Sequence, residues 1–497
     1  MERYLCVHGH FYQPPREDPW TGKVPREPSA HPAANWNERI TTECYAPNTH
    51  ARVLDKQGAV AEHVNNFAGM SFDLGPTLAA WLQRAHPRVY RAILAADAAS
   101  RKRLGGHGNA VAQCYHHCIM PLADARDKHT QIRWARRDFL ARFGREPEGL
   151  WFPETAIDLE SLDLAAAEGI AFTILAPHQV RRVRHGARGP WQEATSEQLD
   201  TTRPYRVALP SGRALACFCY HGGIAHGMAF GDLLRDGERL LQTFLAIGEG
   251  DAARAPLVHV ALDGETFGHH HRFGEMALAY LQTRLRAHEA ARLTNYGAYL
   301  ERYPPTWEAE IVEESSWSCI HGVERWRGDC GCRVGARTPW SLQWRAPLRA
   351  SLDWLQGVLR AIFAERGAAL LKDPWAARDD YIDCVIDPSR AARAAFHRRH
   401  AIRPRRMTAR AERQVRQLLE MQRHAMAMFT SCGWFFDDPT DPATRIILRH
   451  AARAIELAKD ASGVDLADRF SHRLAKMRSN DPAAGDGRQL YAAAIEG

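Results

Sequence analysis

Short apolar runs, each closed by a polar residue or a sharp turn, recur along the first three hundred residues of the chain. Tyr4 to Val7 is the first, with His8-Gly9-His10 at its end. Glu62 to Phe72 carries Asn65-Asn66-Phe67 as a second strand end, and Asn109 to Leu122 exits at Pro121 past His116 and His117. Leu150-Trp151-Phe152 runs into Pro153 and deposits Glu154. Gly169 to Leu175, Leu215 to Tyr220 (ending at His221) and Leu257 to Leu262 (delivering Asp263) follow. Uninterrupted β-type runs of this kind suit parallel strands buried on both faces. Helical spacing fills the gaps: Pro76 to Arg84 places Leu78 and Leu82 four apart, and Leu122 to Phe143 places Asp127 and Gln131 on one face. Leu159 to Glu168 and Phe273 to His288 read as further helices. The alternation predicts an α/β fold, a parallel (β/α) barrel or barrel-like sheet.

After Tyr303-Pro304-Pro305 the pattern changes. An irregular Trp/Cys-rich loop from Ser315 to Trp344 precedes four predicted helices, over Leu348–Phe363, Ala391–His397, Ala409–Phe429 and Pro442–Lys459, with Asp441 as cap of the last. The expected division is a barrel domain over 1–303 and a mainly α-helical domain over 304–497. A Pro-rich loop from Phe11 to about Pro32 carries Trp20, with Trp36 just beyond, and loops this long are usually functional. No internal repeat stands out. The final segment, from Ser479, reads as an amphipathic tail, the start of a further element.

Composition changes this picture little. A length of 497 residues calls for two or three domains. The formal charge of +7 arises largely from Arg between Arg390 and Arg416, read as a solvated connection and helix face. No aromatic or groove-reading element accompanies that run, so no nucleic-acid partner is expected. The N-terminus, MERYLCVHGH, has no export-signal pattern and no apolar run reaches membrane-spanning length. Eleven scattered cysteines suit a reducing cytoplasm.

The chemistry concentrates at the strand ends. Glu154 and Asp263 each close an apolar strand, and strand C-termini of a parallel barrel converge on one face. Paired carboxylates across a sugar ring cleave glycosidic bonds, one attacking or activating water and the other protonating the leaving oxygen. A strand-end acid can equally cap a helix or pair an arginine. His8 and His10, two apart on an extended strand, together with His117 and Asp263, also match the donor set of a metal-dependent hydrolase or deacetylase. Cys319, Cys330 and Cys332 with His321 have C-x-H…C-x-C spacing, unlike the usual zinc pairs. They are read as reduced thiols in a packed loop, with zinc the minor alternative.

Four of these stretches, in this order, resemble the signature regions of glycoside hydrolase family 57: His8-Gly9-His10-Phe11-Tyr12-Gln13-Pro14-Pro15, Tyr115 to Leu122, Gly149 to Ala156, and Leu262 to His269. The similarity is greatest to a subgroup with a helical C-terminal domain of unassigned role. The resemblance implies a (β/α)7-type barrel, a retaining mechanism, no metal or cofactor, and α-glucan substrates. Amylases, 4-α-glucanotransferases and branching enzymes all fall within it. Glu154 stands at the nucleophile position, Asp263 at the acid/base position and His117 at the site histidine. Two departures bear on subsites: the stretch Glu313-Glu314-Ser315-Ser316-Trp317 matches loosely, and Tyr220-His221-Gly222-Gly223 has His where an acidic or amide side chain is expected.

The resulting expectation is an enzyme in which Glu154 forms a glycosyl-enzyme and Asp263 acts as acid and base, its pKa raised by burial beside Phe267. Separation of roughly 5–5.5 Å between the carboxyls would fit retention. His8, His10 and His117 would hold sugar hydroxyls, and Trp36, Trp151, Trp317 and Trp434 would stack sugar rings. Gln13, Phe267 and His269 complete the substrate-binding set. The partner expected is an oligo- or polysaccharide, with oligomeric state open. The alternatives are the metal-dependent hydrolase and a non-catalytic glycan-binding or regulatory protein.

Overall fold

Strand β1, Arg3–Phe11, is buried along nearly its whole length, because Leu5, Val7 and Phe11 fill one side while Cys6, His8 and His10 fill the other. The computed structural model describes residues 3–247, 254–335 and 340–496. Here β1 runs four residues beyond the expected end at Val7, so the two histidines lie within the strand. Six further strands complete a barrel: β2 Ser71–Leu74, β3 Ala110–Gln113, β4 Leu150–Trp151, β5 Phe172–Leu175, β6 Ala214–Cys219 and β7 Leu257–Asp263. β1 pairs in parallel with β7 on one side and β2 on the other, followed by β3 and β4. A parallel bridge between Gly149 and Phe172 carries the ladder to β5, which pairs in parallel with β6. The His221 N–H then donates to the His259 carbonyl of β7 at 2.8 Å. The result is the parallel (β/α)7-type arrangement that the alternating pattern predicts.

The chain divides into two units. The first comprises Met1–Gln13, Pro25–Gln113 and Arg142–Glu313; the second comprises Pro14–Val24, Cys114–Ala141 and Glu314–Gly497. The expected break at Tyr303 falls short, because strand Trp307–Ile311 pairs in parallel with Pro204–Ala208 and antiparallel with Val180–His185 in the first unit. Pairing between residues a hundred apart leaves no mark in local sequence. The second unit is mainly helical, as expected. Helix Arg345–Ala368 buries Leu348, Leu352, Leu355 and Leu359 at alternating spacings of four and three, one stripe of a helix. Helix Pro442–Ser462 starts where Asp441 accepts the Ala443 N–H at 2.8 Å and stops at Gly463 in the left-handed region, a cap and a stop of ordinary kind. Among the described residues no helix is long and apolar enough to cross a membrane.

Candidate active site

All seven barrel strands run in parallel, so the C-terminal ends of β4 and β7 lie at the same rim, with Glu154 just after one and Asp263 ending the other. Register places Asp263 beside His10, and His10 beside Asp73 of β2. Asp73 in turn aligns with Val111 of β3, and Gln113 two residues on aligns with Trp151 of β4. Residues in register on parallel strands share a face, so this row looks into the barrel. The barrel's curvature is visible in one contact. The Trp151 ring stacks on both His8 and His10, at centroid distances of 4.9 Å each. In a flat sheet β1 and β4, three strand intervals apart, would be separated by about 14 Å. The end of β4 therefore faces the ends of β1 and β7 across the interior.

Asp73 is the hub of this row, and it is fully buried. One carboxylate oxygen meets His8 Nε2 at 3.0 Å and the other His10 Nδ1 at 2.8 Å. Burial alone would raise the Asp73 pKa, but the charge of His10 and hydrogen bonds from both imidazoles hold it below the usual carboxylate range. His10 responds in the opposite sense. Burial works against its charged form, yet Asp73, with Asp263 and Glu265 adding, lifts it to about 9. His8 stays lowered because desolvation outweighs Asp73. At neutral pH the row thus carries an anionic Asp73 and a cationic His10 beside Asp263.

Asp263 is accessible to solvent, yet enclosed closely enough that desolvation raises its pKa, with His10 opposing and the charge of Asp73 adding. A group both accessible and densely surrounded sits in a recess. Next to it, Glu265 is buried, accepting from the Tyr45 hydroxyl at 2.6 Å and the Tyr12 N–H at 3.2 Å. Burial pushes the Glu265 carboxyl up to about 7, against the Tyr45 hydrogen bond and with Asp263. Its segment is held from outside by a continuous helical stretch whose middle, Thr41–Tyr45, is π-helical. That stretch sends Asn48 Nδ2 to the Phe267 carbonyl at 2.7 Å and Glu43 to His269 Nδ1 at 2.5 Å. π-Helical turns recur at functional sites because they re-aim side chains.

Glu154, half-buried, adopts φ 58° and ψ 20°, and Thr155 follows at φ 48°. Two successive non-glycine residues in the left-handed region cost about 1–3 kcal/mol each. They persist because Gln179, fully buried, clamps the turn. Its amide nitrogen donates to the Thr155 carbonyl at 2.8 Å, and its amide oxygen accepts from the Thr155 hydroxyl at 2.8 Å and the Ala176 N–H at 2.9 Å. The turn lifts Glu154 out of the strand direction at the barrel mouth.

Some expected substrate contacts are ruled out by burial. Trp151 and Phe267 are fully enclosed and cannot stack a sugar ring; Trp151 instead supports the two imidazoles. His8 has both ring nitrogens engaged, by Asp73 and by the Ser71 hydroxyl at 3.0 Å, so it positions Asp73 and holds no sugar hydroxyl. Trp434, in the second unit, is likewise buried, its indole N–H donating to the Arg345 carbonyl at 3.3 Å. Sequence alone could not separate a ring at a barrel mouth from one beneath it. Trp36 is half-buried, 5.9 Å edge-on from His269. Gln13 is buried and donates to the Tyr12 carbonyl. His117 and Trp317 belong to the second unit, where His117 Nδ1 lies 2.7 Å from the Ser431 hydroxyl. His221 caps the helix Gly222–Ala229, accepting the Ile224 N–H at 3.2 Å, which accounts for His at that strand end. His8, His10 and Asp263 do not gather into a set of converging metal donors; among the described residues only Cys319, His321, Cys330 and Cys332 do so.

The sequence by itself does not single out Asp73, Gln179 or Gln113. Gln113 is buried at the end of β3 with neither end of its amide partnered. A polar residue closing an apolar strand was the available signal for Asp73 and Gln113; Gln179 offered none.

The model for glycosyl hydrolase family 57 matches residues 8–311, and a domain of unknown function (DUF3536) matches residues 340–497. No curated protein matches the chain. Among solved structures, the fold resembles an exo-type maltose-forming amylase from Pyrococcus sp. ST04 (TM-score 0.69, 15% identity, covering 99% of this chain and 88% of that one). It also resembles a branching enzyme from Thermococcus kodakaraensis in complex with glucose (TM-score 0.55, 13% identity, 99% and 96%). A 4-α-glucanotransferase from Thermococcus litoralis aligns with TM-score 0.53 and 13% identity over 91% of this chain and 59% of that one. With more than half of its length matched by one family model, this chain belongs to glycosyl hydrolase family 57.

Proposed function

We propose that the protein is a retaining enzyme acting on α-glucans, with Glu154 as nucleophile and Asp263 as acid/base. The observation that carries the reading is the placement of two carboxyl groups at one rim of the barrel, on strands facing each other across its interior. One is held in a strained turn; the other sits in a recess that raises its pKa. In the first step Glu154 attacks the anomeric carbon as Asp263 gives its proton to the departing oxygen. In the second, Asp263 takes a proton from the incoming water or sugar hydroxyl, which displaces Glu154. His10, cationic between Asp73 and Asp263, steadies the Asp263 carboxylate once its proton has left. The α-glucan assignment is supported by the fold neighbours named as amylase, branching enzyme and glucanotransferase. The metal-hydrolase alternative loses support because His8 has no free nitrogen. Eleven cysteines scattered along the chain favour a reducing cytoplasm.

The test is to incubate wild type and Glu154→Gln with maltooligosaccharides and glycogen and to profile the products. Wild type should shorten, redistribute or branch the chains, while Glu154→Gln keeps its fold and loses at least about a thousandfold in rate. Equal turnover by both proteins would remove Glu154 from the chemistry.

A further inference from the structure

The helical unit holds a side-chain cluster that the glycan chemistry does not use. We propose that Cys319, His321, Cys330 and Cys332 form a tetrahedral zinc site that staples the loop between Glu314 and Gly335. The four donor atoms all lie within 4.8 Å of one another. Cys319 Sγ is 3.8 Å from both Cys330 Sγ and Cys332 Sγ, and Cys332 Sγ is 3.5 Å from His321 Nδ1. A zinc ion with Zn–S of about 2.3 Å and Zn–N of about 2.0–2.1 Å holds two sulfurs about 3.8 Å apart, and a sulfur and a nitrogen about 3.5 Å apart. Three edges of the cluster already have those lengths. Thiol–thiol hydrogen bonds are weak, too weak to explain why three cysteines and an imidazole share one point.

The surroundings fit a structural metal. Between Cys319 and Cys332 the only regular structure is the short 3-10 turn Glu324–Trp326, so the loop has few backbone bonds of its own. Two tight turns present the ligands. The Gly322 N–H donates to the Cys319 carbonyl at 3.1 Å, and Gly331, at φ 77°, bends the chain between Cys330 and Cys332. Zinc bound to three thiolates and a neutral imidazole leaves one net negative charge, the three thiol protons passing to solvent. Arg345, fully buried, answers it: one guanidinium nitrogen donates to the Cys332 carbonyl at 3.3 Å and another to the Phe436 carbonyl at 3.2 Å. The loop is also tied down where it leaves the cluster, since Asp437 accepts the Val334 and Gly335 N–H groups at 2.9 and 2.8 Å. The C-x-H…C-x-C spacing made zinc the minor alternative in the sequence, because the usual zinc pairs set two or more residues between ligands.

The full-length protein, stripped with chelator and reloaded with Zn²⁺, should retain one zinc per chain through gel filtration. Co²⁺ in its place should give the visible bands of a tetrahedral thiolate complex. Zinc should protect Cys319, Cys330 and Cys332 from alkylation and slow proteolysis at Arg327, while leaving Cys432 reactive. Cys319→Ser and Cys332→Ser should lose the metal, and Cys432→Ser should keep it. Should either variant fail to fold, His321→Gln at an exposed position should still fold and weaken zinc retention by more than about tenfold. Wild type without stoichiometric zinc after loading, or zinc kept equally by the His321 variant, would overturn the assignment. None of this depends on which glycan the barrel takes.

Discussion

Asp73 and Gln179 show how much of this site depends on buried residues that hold its charged side chains and backbone in place. Removing one partner of a buried ion pair leaves a charge without compensation, at a cost of about 3–5 kcal/mol. Asp73→Asn should therefore destabilise the protein by that order, read from denaturant midpoints. The pH dependence gives a sharper readout. Because His10 is raised from its ordinary value to about 9, its contribution is complete below pH ~6.5 and is lost as pH climbs through about 9. The contribution of Asp73, whose pKa is depressed, is present above pH ~3.9 and disappears on acidification through its folded value. Asp73→Asn should abolish the alkaline loss, whereas a variant with an unchanged alkaline limb would mean that His10 is charged by something else.

Gln179 acts through the backbone of Glu154. Gln179→Ala leaves the Thr155 carbonyl and the Ala176 N–H unsatisfied, about 1–3 kcal/mol for each buried group, and frees the strained turn. The expected kinetic result is a fall in kcat with KM little changed, since the carboxylate is misplaced rather than the binding surface altered. A purely structural role would lower the Tm and the amount of folded enzyme while leaving kcat per folded molecule intact.

At the scale of elements, the stretch from Trp36 to Thr49 braces the segment that carries Asp263 and Glu265. Its π-helical middle brings Glu43, Cys44 and Tyr45 onto the loop after β7, and the approach is close. Gly268 sits at φ 128°, and a Cβ there would meet the Glu43 carbonyl oxygen at 2.2 Å. Gly268→Ala should cost roughly 2–4 kcal/mol from combined strain and overlap. It should also reduce activity by loosening Glu265 from Tyr45, measurable as parallel changes in Tm and rate. Wild-type stability in Gly268→Ala would show that the two segments separate easily. The four long helices predicted in the second unit need no such device, because their apolar stripes and caps are local and spacing alone places them; the shorter Pro374–Asp380, Ala467–Leu474 and Gly487–Glu496 carry too little periodicity to be placed that way.

For the molecule as a whole, the sequence by itself determined most of what is periodic or punctuated. The apolar runs ending in polar residues marked six of the seven barrel strands and identified Glu154 and Asp263 as their cargo. The change of period near Tyr303 announced the helical part, and Asp441 announced its cap. These signals are local, because a strand buried on both faces and a helix stripe each follow from a few neighbouring side chains. Tertiary structure decided the rest. Only barrel closure could bring Trp151 beneath two histidines from β1, turning an expected sugar platform into a buried support. Only register could set Asp73 beside His10. Each is a contact between residues far apart in the chain, whose entropic cost is met by the whole core at once, and no short stretch of sequence carries the information for it.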